Sequence, residues 1–423
     1  MPTVDGTSDA DDRDPVLAQY EAYPYPSRDP KDEKTRLIEG SPSHLDEIRH
    51  YLFGGRLDVT ADFRALVAGG GTGDAAIMLA QQLSDAGGGE VVYVDLSRKA
   101  REIAEARAAA RGLSNIAFHT GSLLDLPEMD LGAFDYIDCC GVLHHLEDPA
   151  AGAMALRRVL KDGGGIGLMV YAPFGRTGVY EMQAMLRTLG GDLPLAQRVA
   201  QARRLWDKLP QTNWLKRNPF VGDHKRSDAE LVDLFLHARD RPYTVPEVAG
   251  LLDGADLRPA AFVEPLRYDP ATYMKDPALL KPLADLDPVG RAAFAERLAG
   301  NMKKHIVYAV PKGRADTVAA IEDDTVVPVP SGLDPRKAAQ GMGPNPLLKA
   351  NFDGQPLRLP LPRLAGPLLV RIDGERSLGE IVAGVMAQDS TLEAKRVEAQ
   401  FAETFRAFNG INRMFLRYPT SRM

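Results

Sequence analysis

The chain has 423 residues, 44% of them hydrophobic and 26% charged, with a formal net charge of −7. That balance fits folded protein in two or three domains and leaves no broad basic footprint for nucleic acid. No run approaches the roughly 20 apolar residues of a membrane helix, and the acidic stretch Met1 to Asp14 lacks a secretory pattern. The two cysteines, Cys139 and Cys140, are adjacent and by spacing form neither a disulfide framework nor a metal site, so a reducing cytoplasm is the expected location.

Residues 1–15 read as a disordered acidic tail. Two Tyr-Pro pairs then force extended backbone at Tyr23-Pro24-Tyr25-Pro26. This strap either packs its tyrosines on the core or acts as a lid whose aromatic faces meet a cation. Ser41 is the expected N-cap of a helix with Pro42 at its first position, running to Leu52; residues 1–60 thus form an N-terminal strap and helix. Strands are predicted at 63–68, 90–95, 115–120, 134–140 and 165–172, with helices at 74–86, 97–111 and 149–160. Such alternation implies an α/β fold, a parallel sheet covered on both faces, with ligands at the carboxyl ends of its strands. From 177 to 241 the pattern turns helical, an insertion before a helix from Val245, a strand at 260–264, a helix at 288–301 and a strand at 304–310. These complete a core over 61–312. Residues 313–335 read as a linker, and 336–423 as a winged-helix-like α+β module. Its charges are nearly balanced, which favours protein contact or homodimer formation over DNA reading.

The chemistry is concentrated at the strand ends. Ala65-Leu66-Val67-Ala68 runs into Gly69-Gly70-Gly71-Thr72-Gly73-Asp74. Glycines permit positive φ and close backbone approach, and the helix start adds free N–H groups. Asp95 ends the second strand, about twenty residues on, where a carboxylate meets ribose hydroxyls. Gly121-Ser122-Leu123 follows the third strand and Cys139-Cys140-Gly141-Val142-Leu143-His144-His145-Leu146 the fourth.

Together these landmarks resemble class I S-adenosylmethionine-dependent methyltransferases. The resemblance implies a Rossmann-like seven-stranded sheet, S-adenosylmethionine as cofactor and S-adenosylhomocysteine as product. It implies cofactor contacts from Gly69, Gly70, Gly71, Gly73, Asp74, Asp95, Leu96, Ser122, Leu123, Cys140 and Gly141. Two departures stand out. Val67 occupies a position that is usually acidic and orders the turn and the cofactor's amino group, a loss for which Asp74 could compensate. Ser122 stands where many relatives have an acid for the adenine amino group.

His144, His145 and Tyr171 are the expected positioning groups near the transferred methyl, with no metal. Tyr23, Tyr25, Tyr180, Asn213, Trp214 and His224 are the expected acceptor-side residues. The absence of an Asn-Pro-Pro-Tyr tetrad argues against base and amide methylation. The leading expectation is methyl transfer to a nitrogen of a protein side chain, the layout being loosely similar to bacterial protein-lysine methyltransferases. The alternatives are a small-molecule N- or O-methyltransferase and a non-catalytic cofactor-binding regulator. A pocket closed under the Tyr23/Tyr25 strap favours a small acceptor; a groove reaching 336–423 favours a protein.

Overall fold

The computed structural model describes residues 15–315 and 317–419; the acidic tail read at 1–15 lies almost wholly outside them. The N-terminal segment contributes α1 (Pro15–Ala22) and α2 (Leu45–Leu52). Alternating units follow: β1 (Arg64–Ala68), α3 (Asp74–Ala86), β2 (Glu90–Asp95), α4 (Arg98–Arg111), β3 (Ile116–Thr120), β4 (Phe134–Cys140), α5 (Pro149–Val159) and β5 (Leu160–Tyr171). The helical insertion begins with α6 (Val179–Gly190) and α7 (Leu195–Lys208), and β6 (Leu257–Phe262) and β7 (Lys304–Pro311) finish the sheet.

The seven strands lie in the order β3-β2-β1-β4-β5-β7-β6. The first five are parallel, and β7 runs antiparallel to both β5 and β6. Alternation along each strand loads both faces. Leu66, Val92, Ile137 and Cys139 pack on one side, and Ala65, Val67, Val91, Tyr93 and Tyr136 on the other. Burial on both faces is why these strands read as continuous apolar runs. The strand order reverses between β1 and β4, so a crevice opens at their carboxyl ends.

Ser41 does not cap α2. His44 holds that position, and the Ser41 hydroxyl instead donates to Glu47 Oε1 at 2.8 Å. The segment expected as a linker contributes β8 (Val327–Pro330), which pairs antiparallel with the last strand, β11 (Met414–Arg417). Between them come a hairpin of β9 (Leu347–Phe352) and β10 (Gln355–Pro360) and helices at Leu378–Met386 and Ala394–Gly410. The strand after the last helix thus pairs with the segment expected as linker. The apolar core of this C-terminal unit includes Ile381, Val397, Phe401 and Phe408. No helix among the described residues is long and apolar enough to cross a membrane.

Candidate active site

A cavity of about 430 Å³ sits at the reversal point. The glycine turn forms its floor, and two neighbours explain the glycines. A Cβ on Gly70 would lie 2.2 Å from Tyr93 Cε2, and one on Gly71, at φ +51, would lie 2.7 Å from the Tyr25 carbonyl oxygen. Tyr93 also donates its hydroxyl to Gly71 O at 2.6 Å. Asp95 Oδ2 accepts from Gly71 N at 2.7 Å and Oδ1 from Ser97 N at 2.8 Å. Burial raises the Asp95 carboxyl, and these two bonds oppose the rise.

The turn is clamped from outside by the N-terminal strap. Thr72 donates from its amide to Tyr25 O and from its hydroxyl to Pro26 O. Asp74, the first residue of α3, accepts from Arg28 Nε at 2.9 Å and from Arg107 Nη1 at 2.7 Å. Burial pushes its carboxyl up, but the two guanidinium groups outweigh burial and hold it below its usual value. Arg107 continues to Glu33, which also binds Arg111. Asp74 is thus saturated by arginine, which leaves it poorly suited to replace the acid missing at Val67.

Of the expected cofactor contacts, Gly69, Gly70, Gly71, Asp74, Asp95, Leu96, Ser122, Leu123, Cys140 and Gly141 line the cavity. Gly73 does not; it caps α3 against Ala104, where a Cβ would fall 2.8 Å from the alanine methyl. Ser122 lines the wall while its hydroxyl oxygen accepts from Leu124 N at 3.1 Å.

The far end is made by Tyr20, Tyr25, His145, Tyr171, Glu230 and Asp233. Tyr171 donates to Asp233 Oδ2 at 2.9 Å. Asp233 is buried in a π-helical turn, Val232–Leu236, of the insertion, and burial pushes its carboxyl up to about 7. His145 Nδ1 must donate to the Arg239 carbonyl at 2.7 Å, which leaves Nε2 as the acceptor nitrogen. Burial pushes this imidazole down to about 3, so it is neutral near pH 7. Its ring stacks on His237 at 3.6 Å, and His237 in turn meets the Tyr20 hydroxyl at 3.0 Å.

The expected residues do not all converge here. His144 lies behind His145, buried at 1% exposure, with its ring 4.3 Å from that of Tyr171. Tyr23 packs into the insertion's apolar core, and Tyr180 receives a bond from Arg176 Nε at 3.1 Å. Asn213 caps a short helix, Trp214 is 61% exposed, and His224 lines a separate cavity of about 170 Å³ beside Trp206. Their polarity suits cap and packing roles within the insertion. Sequence reading missed Tyr20, Arg28, Asp138, Glu230 and Asp233, all in the cavity wall. Asp233 was findable as an acid inside an apolar helical run, Leu231 to Leu236. His145, Asp233 and His237 also offer ligand atoms within 4.8 Å of one another; His237 accepts from Arg239 N through Nδ1, so in the neutral ring its Nε2 carries the proton and meets the Tyr20 hydroxyl.

A protein family described as a methyltransferase domain matches residues 66–166, the stretch from the glycine turn through β5's start. Residues 66–166 of the core thus match a methyltransferase domain. An uncharacterized protein of Synechococcus is 31% identical over 266 residues, 60% of this chain and 61% of that protein. A ubiquinone biosynthesis O-methyltransferase of Alkalilimnicola ehrlichii is 29% identical over 153 residues, 36% of this chain and 57% of its own length. The chain thus spans about 60% of these curated relatives. PKMT2 of Rickettsia typhi, whose structure has been solved also with AdoHcy, shares the fold with a TM-score of 0.62 at 14% identity, covering 90% of this chain and 76% of its own.

S-Adenosylmethionine is the cofactor of this domain class, and the cavity of the methyltransferase core suits it chemically. Asp95 and the glycine turn offer carboxylate and backbone groups to an adenosine. Leu96, Leu123 and Leu146 supply apolar wall, and the buried Asp138 Oδ1 has no partner, as a cationic ligand requires.

Proposed function

We propose that this chain transfers a methyl group from S-adenosylmethionine to an amine nitrogen, with a lysine side chain of a protein as the acceptor. The observation that carries the reading is Asp233: a buried carboxyl that accepts from the Tyr171 hydroxyl in a cavity wall it shares with Tyr20 and Tyr25. A cationic amine is favoured by aromatic faces and a carboxylate and must become neutral before it can attack.

The cofactor supplies an electrophilic methyl on a sulfonium. Asp233, its affinity for protons raised by burial to near neutrality, takes the proton from the acceptor's ammonium, and Tyr171 keeps the accepting carboxyl in place. The neutral His145 offers Nε2 to the remaining N–H, which orients the nitrogen lone pair. Tyr25 and Pro26 line the cavity beside the glycine turn. Alignment of nucleophile and methyl carbon is most of what such a displacement needs.

A lysine acceptor is supported by the overall layout, a cap insertion and a further C-terminal unit, shared with PKMT2 across 90% of this chain. One observation favours a small amine instead: among the described residues, those lining the cavity come from 16–233 and none from 336–419. Incubating the protein with methyl-labelled S-adenosylmethionine and a cell lysate, then separating macromolecules from small molecules, tests the choice. Label in acid-stable methyl-lysine of a protein band is the expected result. Label confined to small molecules would transfer the proposal to that acceptor class, and label in neither would refute it.

A further inference from the structure

Asp138 lies mid-strand in β4, two residues before the cavity-lining Cys140. Strand register sets it directly beside Val67 of β1 and Gly167 of β5. It is 1% exposed, yet it lines the cavity together with Gly69, Gly141, Ser41 and Ser43. Its Oδ2 accepts from the Ser43 hydroxyl at 2.7 Å, and its Oδ1 has no hydrogen-bond partner. Removal of a carboxylate from water without a countercharge is costly, and such groups are normally paired. The arginines in the cavity wall do not serve it: Arg28 is bound to Asp74 and Arg226 to Asp223, while the neutral His145 lies beside Asp233 and His237. Burial also pushes the Asp138 carboxyl up to about 7, against the single opposing bond from Ser43.

The order of strands says which cation fits. Asp95 ends β2, the glycine turn ends β1, and Asp138 is on β4, so the three mark successive stations across neighbouring strands. A cofactor whose ribose meets Asp95 extends its amino-acid end over the turn toward β4. Of its two positive groups, the sulfonium has no N–H to donate, whereas the α-ammonium has three. We propose that Asp138 is the counter-ion of the cofactor's α-ammonium group, acting on β4 in place of the acid that β1 lacks at Val67. Ser43, on the segment leading into α2, holds the carboxylate through Oδ2 and leaves Oδ1 unpaired.

This inference rests on the S-adenosylmethionine reading of the cavity, and its test separates the two. Calorimetry would compare S-adenosylhomocysteine with 5′-methylthioadenosine, which keeps the adenosine and sulfur but lacks the amino-acid part, on wild type and Asp138→Asn. The variant preserves shape and the Ser43 bond. Homocysteine-bearing ligand is expected to weaken at least about tenfold, about 1.4 kcal/mol, while methylthioadenosine stays within about twofold. Unchanged binding of both ligands overturns the inference, and so does equal weakening of both, the mark of a structural role. Failure of the wild type to bind either would instead remove the cofactor reading itself and the inference with it. Asp138→Ser, which retains a short polar group, is the second variant if the amide does not fold.

Discussion

Arg107 is the residue whose removal most directly tests how the glycine turn is held. It is 1% exposed in the middle of α4 and makes four hydrogen bonds. Two go to Glu33 Oε1 at 2.8 and 2.6 Å, one to the Thr72 carbonyl at 2.8 Å and one to Asp74 at 2.7 Å. Arg107→Met keeps the aliphatic volume and deletes all four. Breaking a buried ion pair from one side costs about 3–5 kcal/mol. Here Glu33 retains Arg111 and Asp74 retains Arg28, which places the loss toward the lower end. The Thr72 carbonyl is left unsatisfied, adding about 1–3 kcal/mol. A loss of about 4 kcal/mol is therefore expected in urea unfolding followed by circular dichroism, with weaker S-adenosylhomocysteine binding because Thr72 and Asp74 frame the turn. Glu33→Gln combined with Arg107→Met should cost clearly less than the sum of the single variants. A loss under about 1 kcal/mol, or strict additivity, would refute the view that this buried network pins the turn.

Asp233→Asn is expected to lower kcat/KM on an amine acceptor by about 10²–10⁴, the usual worth of a proton acceptor. Wild-type rate should rise with pH through about 7 as Asp233 ionises, and steady-state kinetics of the variant should show that limb gone. Gly70→Ala drives a methyl into the ring of the fully buried Tyr93, which costs about 1–3 kcal/mol in overpacking. It should abolish cofactor binding in calorimetry, and Tyr93→Leu should restore part of it. Asp138 and Asp233 both hold protons in the folded state up to about 7, against 3.8 in the unfolded chain. Between those values the unfolded state binds fewer protons, so stability of the ligand-free protein should fall as pH rises through the window and level off above it. Urea midpoints at several pH values should show this slope flattened in the Asp138→Asn, Asp233→Asn double variant.

The catalytic core was legible because its signals are local. Ala65–Ala68, Val91–Val94 and Ile137–Cys139 are apolar runs that end in glycine or an acid, and each became a strand within a residue or two of its expected limits. The glycine turn and Asp95 could be read from spacing alone. The clamp on that turn could not, since Arg107 meets a glutamate 74 residues away. Nor could the pairing of Asp138 with the empty position at Val67, which depends on strand register. Val327-Pro328-Val329-Pro330 reads as linker because proline withholds a donor from a ladder, yet it makes a two-stranded pair with β11. The hairpin of β9 and β10 had a readable signal in Asp353-Gly354, both at positive φ, the dipeptide of a tight two-residue turn.

The C-terminal unit bears on the cofactor site through α2 rather than through the cavity itself. Asn412, just before β11, donates to Glu47 Oε1 at 2.8 Å and accepts from the Tyr51 hydroxyl at 3.0 Å. Glu47 also takes the hydroxyls of Ser41 and Tyr308, and the His50 ring accepts from Leu416 N at 3.1 Å. These groups are buried, so each bond left unmade would be expensive, and together they fix one position of α2 against the last strand. The segment entering α2 carries Ser41 and Ser43 into the cavity wall and delivers the Ser43 hydroxyl to Asp138. The described residues of 336–419 line none of the cavity but hold the element that shapes its end near Asp138. The unit therefore need not touch the acceptor to affect the chemistry: whatever displaces β11 from α2 also moves the hydroxyl that holds Asp138.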